Sequence, residues 1–225
     1  MKAEELATAF ATLPASWRAV LPGWTAERLR QVQRRVEAVS GDRPIAPEDP
    51  FRALRLVAPE DVKVVLIGQD PYPSAGHADG LAFSAGRGRP RSLARIFEVL
   101  AADRPGFQPP DRWTLEEWAR AGVLLLNPVL TVEVGRTGSH QPCGWQALTS
   151  EVVSALARRA LPPTFLLWGS KAREFWAGCR PADCAAPVLV TRHPSYDFQR
   201  AFMGEGSHFE ATAHLVDWWG IGRRE

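Results

Sequence analysis

The chain has 225 residues, 45% hydrophobic and 23% charged, enough for one α/β domain with a full core and too apolar for a disordered chain. Its formal net charge of +2 is too small to argue for a nucleic-acid partner, so any basic surface must come from local clustering. Cys143, Cys179 and Cys184 are an odd set without a paired C-x-x-C, which argues against a disulfide framework or a four-ligand zinc site, and no run approaches the length of a membrane span.

The N-terminus carries Glu4 and Glu5 and no long apolar core, so it does not read as a secretory signal, and a cytoplasmic protein is the expectation. Residues 1–50 read as mostly helical. Pro14-Ala15-Ser16 opens one segment, and Thr25 caps a second, where Leu29, Val32, Val36 and Val39 recur at helical spacing. Residues 41–50 form a polar, Pro-containing connector, and Phe51-Arg52-Ala53-Leu54 a short helical piece. Val64-Val65-Leu66-Ile67 is short, apolar and β-branched, the pattern of a buried strand.

That strand stops at Gly68-Gln69-Asp70-Pro71-Tyr72-Pro73, a polar loop stiffened by two prolines. Taken alone, Asp70 before Pro71 also fits a helix cap with Pro at the first helical position. Further on, Arg87, Arg89 and Arg91 sit in a loop and Ser92 caps a helix through Leu100. Thr114-Leu115-Glu116-Glu117 reads as a capping box opening a helix to Ala121. Val123-Leu124-Leu125-Leu126 is a second strand, ending on Asn127-Pro128. Residues 135–144 are loop and 145–160 helical. Phe165-Leu166-Leu167-Trp168 is a third strand, ending on Gly169-Ser170, and Val188-Leu189-Val190 a fourth, ending on His193-Pro194-Ser195. Residues 209–219 form a last helix.

Strands alternating with helices predict an α/β fold: a single domain, residues 1–225, with a central four-stranded, mainly parallel sheet flanked by helices and residues 1–50 packed on it. Parallel strands put all four carboxyl ends on one edge, where ligands bind in such sheets. That edge would carry Gln69, Asp70, Tyr72, Asn127, Ser170, His193 and Ser195.

Together these residues resemble the family 1 uracil-DNA glycosylases, over a match from about Phe51 to Phe209. Gly68-Gln69-Asp70-Pro71-Tyr72 is similar to the family's water-activating loop, Gly80-Leu81-Ala82-Phe83-Ser84 to the segment that stacks on uracil, and Leu124-Leu125-Leu126-Asn127 to the uracil-reading strand. Ser139-His140, Gly144-Trp145, Leu167-Trp168-Gly169-Ser170 and His193-Pro194-Ser195 match further blocks in order. The resemblance implies a monofunctional DNA glycosylase of base excision repair. It would flip deoxyuridine out of single- or double-stranded DNA and hydrolyse the N-glycosidic bond, leaving an abasic site.

On this resemblance Asp70 orients the attacking water and stabilises a cationic sugar, and His193 donates to uracil O2. Asn127 reads the N3–H and O4 edge, which cytosine reverses. Tyr72 excludes thymine's methyl group, Phe83 stacks on the base, and Gln69 shapes the loop. Ser92, Gly169, Ser170 and Ser195 match the DNA-gripping loops, with Tyr196, Phe198 and Arg200 in the segment that enters the duplex. No metal or cofactor is implied, no membrane partner, and a monomer is expected.

The sequence departs from the family's pattern in two places. Pro73, His77 and Asp79 stand where the family typically shows His, Gln and His. The wedge loop is one residue short, its apolar wedge replaced by Tyr196-Asp197-Phe198, with Asp197 expected to approach phosphates unfavourably. These departures support a second reading, a damaged-DNA-binding homologue with weak or altered glycosylase activity. A third, a metal hydrolase using His77 and Asp79, has no recognisable ligand spacing behind it.

Overall fold

Four apolar runs pair side by side in the computed structural model, which describes residues 1–222. In chain order the elements are α1 (Leu6–Ala11), α2 (Ala15–Val20), α3 (Ala26–Ser40), β1 (Ile45–Ala46), α4 (Arg52–Leu56), β2 (Val64–Ile67), α5 (Arg91–Asp103), α6 (Glu116–Arg120), β3 (Val123–Leu126), β4 (Val132–Glu133), α7 (Trp145–Ala157), β5 (Thr164–Trp168), α8 (Ser170–Cys179), β6 (Val188–Thr191) and α9 (His208–Ala211). The main sheet has the order β3-β2-β5-β6 and all its pairings are parallel. Every residue of β2 and β3 is buried, as expected of parallel strands covered on both faces. The outer strand β6 is only partly covered.

Register decides what the sheet presents at its carboxyl edge. Ile67 is level with Leu126 and Leu167, and Trp168 with Thr191. Gly68 and Asn127 therefore emerge side by side, and Gly169 and Arg192 side by side one residue further along. The ladder runs one step further, because Gly68 N donates to Leu126 O (2.9 Å) and Gly169 N to Thr191 O (2.9 Å). The loops that follow the strands thus begin from fixed backbone.

Four buried tryptophans tie the two ends of the chain to this core, their indole N–H groups donating to main-chain carbonyls. Trp17 donates to Val57 O (2.9 Å) and Trp24 to Leu148 O (2.8 Å), which fastens the N-terminal helices. Trp118 donates to Trp218 O (2.9 Å) and Trp219 to Leu100 O (3.0 Å), which fastens the C-terminal segment. Among the described residues no helix is long and apolar enough to cross a membrane.

Several local expectations are corrected. Residues 41–50 are not merely a connector: Ile45 and Ala46 pair antiparallel with Glu133 and Val132. Ser92 does not cap α5; Pro90 holds that position and Ser92 lies inside the first turn, buried. The Thr114 capping box does not form, because the Thr114 hydroxyl donates to Asp79 (3.2 Å) instead of accepting from the helix. The last helix is cut to α9, with a 3-10 turn at Trp218–Gly220, although the apolar residues spaced along it are buried. Asp70 caps nothing, for no helix follows it. The helix α8, unassigned from sequence, supplies part of the β5–β6 crossover.

Candidate active site

At the carboxyl edge of the sheet lies a cavity of about 180 Å³. Gly68, Gln69, Asp70, Pro71, Tyr72, Pro73, Phe83, Ser92, Asn127, Thr137, His193, Ser195 and Tyr196 line it. It is smaller than the roughly 300–1,000 Å³ of drug-sized pockets, and so suited to one small planar group. The loop after β2 forms one wall. The Asp70 carboxylate is half-buried and accepts from the Gly138 backbone N–H (3.1 Å). Burial pushes its pKa above the ordinary carboxylate range, and the Gly138 N–H pulls it partly back. Gln69 and Pro73 contribute main-chain acceptors that hold neighbouring loops: Val129 N donates to Gln69 O (3.4 Å) and Gly135 N to Pro73 O (2.8 Å).

Asn127 closes the floor at the end of β3, with 9% of its surface exposed. Its amide packs directly on Gly68. A Cβ built at Gly68 would fall 2.2 Å from Asn127 Oδ1, so only glycine leaves room for the amide. Tyr72 is anchored by its phenol, which donates to Phe83 O (3.2 Å) and shares a 2.6 Å hydrogen bond with Ser92 Oγ. Burial, aided by the nearby Asp79 charge and opposed by the Ser92 hydrogen bond, pushes the phenol pKa to about 12. The phenol therefore stays neutral.

Phe83 adopts φ 63°, a left-handed conformation that side chains other than glycine rarely take. Trp168 supports its ring at 5.2 Å between centroids, and the His193 ring lies 5.6 Å away. A polar cluster below holds the arch. Asp79 accepts from Arg52 Nη1 (3.0 Å), Ser84 Oγ (2.6 Å), Thr114 Oγ1 (3.2 Å) and Leu81 N (3.3 Å). Arg52 is also paired with Glu116. Asp79 is thus committed to protein partners. Among the described residues no group of three or more His, Cys, Asp or Glu is placed to hold a metal ion.

His193 follows β6. Its Nδ1 accepts from Ser195 N (3.1 Å), which leaves the ring proton of the neutral imidazole on Nε2. Burial lowers its pKa, so the neutral form prevails. Gly169, at φ 102°, lets the chain pass His193: a Cβ there would lie 2.8 Å from His193 Cβ.

The residues predicted to grip DNA divide. Ser195 and Tyr196 are exposed at the cavity mouth. Gly169, Ser170 and Arg200 line an adjoining groove of about 1320 Å³ that also includes His193 and Tyr196. Ser92 is buried against Tyr72 and is not available to a backbone phosphate in this conformation. Phe198 lines neither cavity nor groove, and is 73% exposed. Asp197 does not face outward as its charge suggested; it is turned inward and paired with Arg95. His140, from one of the matched blocks, is fully buried between Ser40 Oγ and Thr131 Oγ1, both at 2.8 Å, and serves packing. Thr137 and Gly138 were missed from sequence, where only a run of small residues marked them.

Comparison with known proteins gives a concordant result. A family model described as Uracil DNA glycosylase superfamily matches residues 55–217. A uracil-DNA glycosylase of Bordetella parapertussis is 41% identical over 96% of this chain and 90% of its own. One from Albidiferax ferrireducens is 43% identical over 90% of this chain and 88% of its own. The crystal structure of mimivirus uracil-DNA glycosylase superposes with a TM-score of 0.74 at 22% identity, covering 84% of this chain and 71% of that one, and shows the same fold.

Proposed function

Because the chain belongs to the uracil DNA glycosylase superfamily and is a DNA glycosylase that hydrolyses N-glycosyl bonds, we propose that it works as a family 1 enzyme does, with Asp70 and His193 as its catalytic pair. The observation that carries this reading is the single small cavity shared by Asp70, Tyr72, Phe83, Asn127 and His193. The target base must leave the stack to enter it, at a cost of a few kcal/mol.

Once inside, uracil lies on Phe83, an interaction of roughly 1–3 kcal/mol in base–aromatic systems. The Asn127 amide accepts from N3–H and donates to O4. Cytosine presents the reverse pattern and leaves buried groups unpaired. The Tyr72 ring, fixed through its phenol, fills the space that a 5-methyl group would need. As the glycosidic bond breaks, negative charge grows on the base, and His193 Nε2–H donates to O2 as a neutral group. The sugar becomes cationic beside Asp70. The ionised carboxylate stabilises it and orients the water that attacks C1′. The reaction needs no metal on this reading, since a carboxylate and an imidazole meet both charges. Ser170, Ser195 and Gly169 grip the backbone, while Tyr196 and Phe198 enter the duplex. The chain works as a monomeric, single unit in the cytoplasm.

Release of uracil from single- and double-stranded oligonucleotides tests the assignment. Asp70→Asn should lower release by about 10²–10⁴-fold, the usual value of a positioned general base. Undiminished release by that variant would overturn it. If the unmodified chain binds uracil-containing DNA without releasing base, the binding-homologue reading replaces it.

A further inference from the structure

The segment after His193 is held in shape from inside by a charge. In residues 196–200 the aromatic rings on either side of Asp197 are thrown outward, Tyr196 79% and Phe198 73% exposed, while the Asp197 side chain is 8% exposed. Asp197 Oδ2 accepts from Arg95 Nε (2.5 Å), on α5, and Oδ1 accepts from Phe202 N (2.5 Å) at the far end of the loop. Arg95 is fixed in turn by Glu98 (3.1 Å), and Glu98 also holds Arg200 (2.6 Å). Beyond, Met203 N donates to Thr191 Oγ1 (2.8 Å), which ties the loop to the end of β6.

The backbone would not keep this form unaided. Gln199, Arg200 and Met203 have φ between 55° and 60°, a left-handed region that non-glycine residues avoid. A loop with three such residues relaxes when its internal ties are removed, and two exposed aromatics would then fold back onto the protein. The tie is electrostatic and largely out of solvent, so loss of Asp197 strips Arg95 of its buried partner and leaves it only the exposed Glu98.

We propose that Asp197 is a positioning residue for duplex substrates: its bond to Arg95 preorganises the loop so that Tyr196 and Phe198 present a two-ring wedge. The proposal rests on the reading that this loop enters the duplex. Apolar rings inserted between base steps hold the gap left by a flipped base. A wedge ordered in advance loses less entropy on insertion. Single-stranded DNA has no gap to fill and gains nothing from it. Asp197 is specific in this role because a single carboxylate reaches both α5 and the far end of the loop.

The test compares uracil release from matched single- and double-stranded oligonucleotides by Asp197→Ala, Asp197→Asn, Phe198→Ala and the double variant Asp197→Ala/Phe198→Ala. Both Asp197 variants should lose roughly ten-fold or more in kcat/KM on duplex DNA. Activity on single strands, which also reports that the chain has folded, should be unchanged. The double variant should be no worse on duplex than Phe198→Ala alone, since the tie acts through the ring it positions. Equal losses on both substrates, or additive losses in the double variant, would overturn the proposal by making Asp197 a general stability element. If Phe198→Ala is selectively poor on duplex while both Asp197 variants are normal, the wedge stands and the tie falls. If neither residue affects duplex release selectively, the loop does not enter DNA and both readings fail.

Discussion

Substituting Gly68 by alanine displaces the Asn127 amide, which the proposed mechanism assigns to base reading. Gly68 does not have a positive φ, so alanine is allowed by the backbone, and its N–H bond to Leu126 O is preserved. What alanine cannot do is coexist with Asn127 as it stands. The new Cβ would lie 2.2 Å from Oδ1 and 3.0 Å from Ala82 Cβ, so the amide must retreat by a little over an ångström to reach ordinary contact. Catalytic geometry tolerates this poorly: a displacement of ~1 Å costs about 10²-fold, or ~2.7 kcal/mol of transition-state stabilisation. The assay is kcat/KM for uracil release from a single-stranded oligonucleotide, which removes duplex opening from the comparison, with Tm measured alongside. Gly68→Ala should lose about 10²-fold with a modest change in Tm. A kcat/KM close to that of the unmodified chain would refute the reasoning, because it would mean that base recognition survives a moved Asn127.

Four other outcomes follow from the structure. Tyr72→Phe removes the phenol from the buried Ser92 hydroxyl, at a cost of about 1–3 kcal/mol in stability, yet keeps thymine excluded because the ring stays. Tyr72→Ala should release thymine as well as uracil, and release of uracil alone would remove the ring from its gatekeeping role. The pH–rate profile should show an acidic limb: Asp70 must be ionised and its pKa is raised, so kcat/KM falls as pH drops through that value. His193, with its pKa lowered, stays neutral on the plateau, and a profile that rises toward acid would contradict both assignments. Finally, burial holds His140 and His208 neutral in the fold, with pKa values lowered from 6.5 to about 4. The unfolded chain binds more protons between those limits, so stability is full above 6.5 and is lost toward 4. Thermal melts at several pH values check this; a Tm independent of pH across that window would count against it.

Strand positions were legible because a parallel strand covered on both faces must be apolar throughout, and Val64–Ile67 and Val123–Leu126 are. The position of the candidate site residues that follow them was legible for the same reason: the end of an apolar run marks the edge of the sheet, where Gly68, Asp70 and Asn127 line one cavity. Other features depend on tertiary partners that leave no pattern. The Thr114 hydroxyl is an apt helix cap by sequence, but Asp79 takes it. The two-residue strands β1 and β4 are too short to show a period. Residues 209–219 have apolar spacing of helical kind, yet the helix ends at Ala211 and Val216 and Trp218 are buried from turns. The Gly138 contact to Asp70 uses a main-chain N–H that any residue carries. The inward turn of Asp197 was also hidden, since its partner Arg95 lies about a hundred residues earlier in the chain.

The division between a fully covered sheet and the segments projecting from it bears on how this molecule changes over generations. Every group that would discriminate among bases is at a strand end or on a connecting segment, whereas the four strands carry none. Point changes at Pro73, His77 or the aromatic tip can therefore accumulate without disturbing the interior. A lineage can vary these exposed tips freely, whereas Asn127, packed on Gly68, and Phe83, packed on Trp168, change only together with their supports.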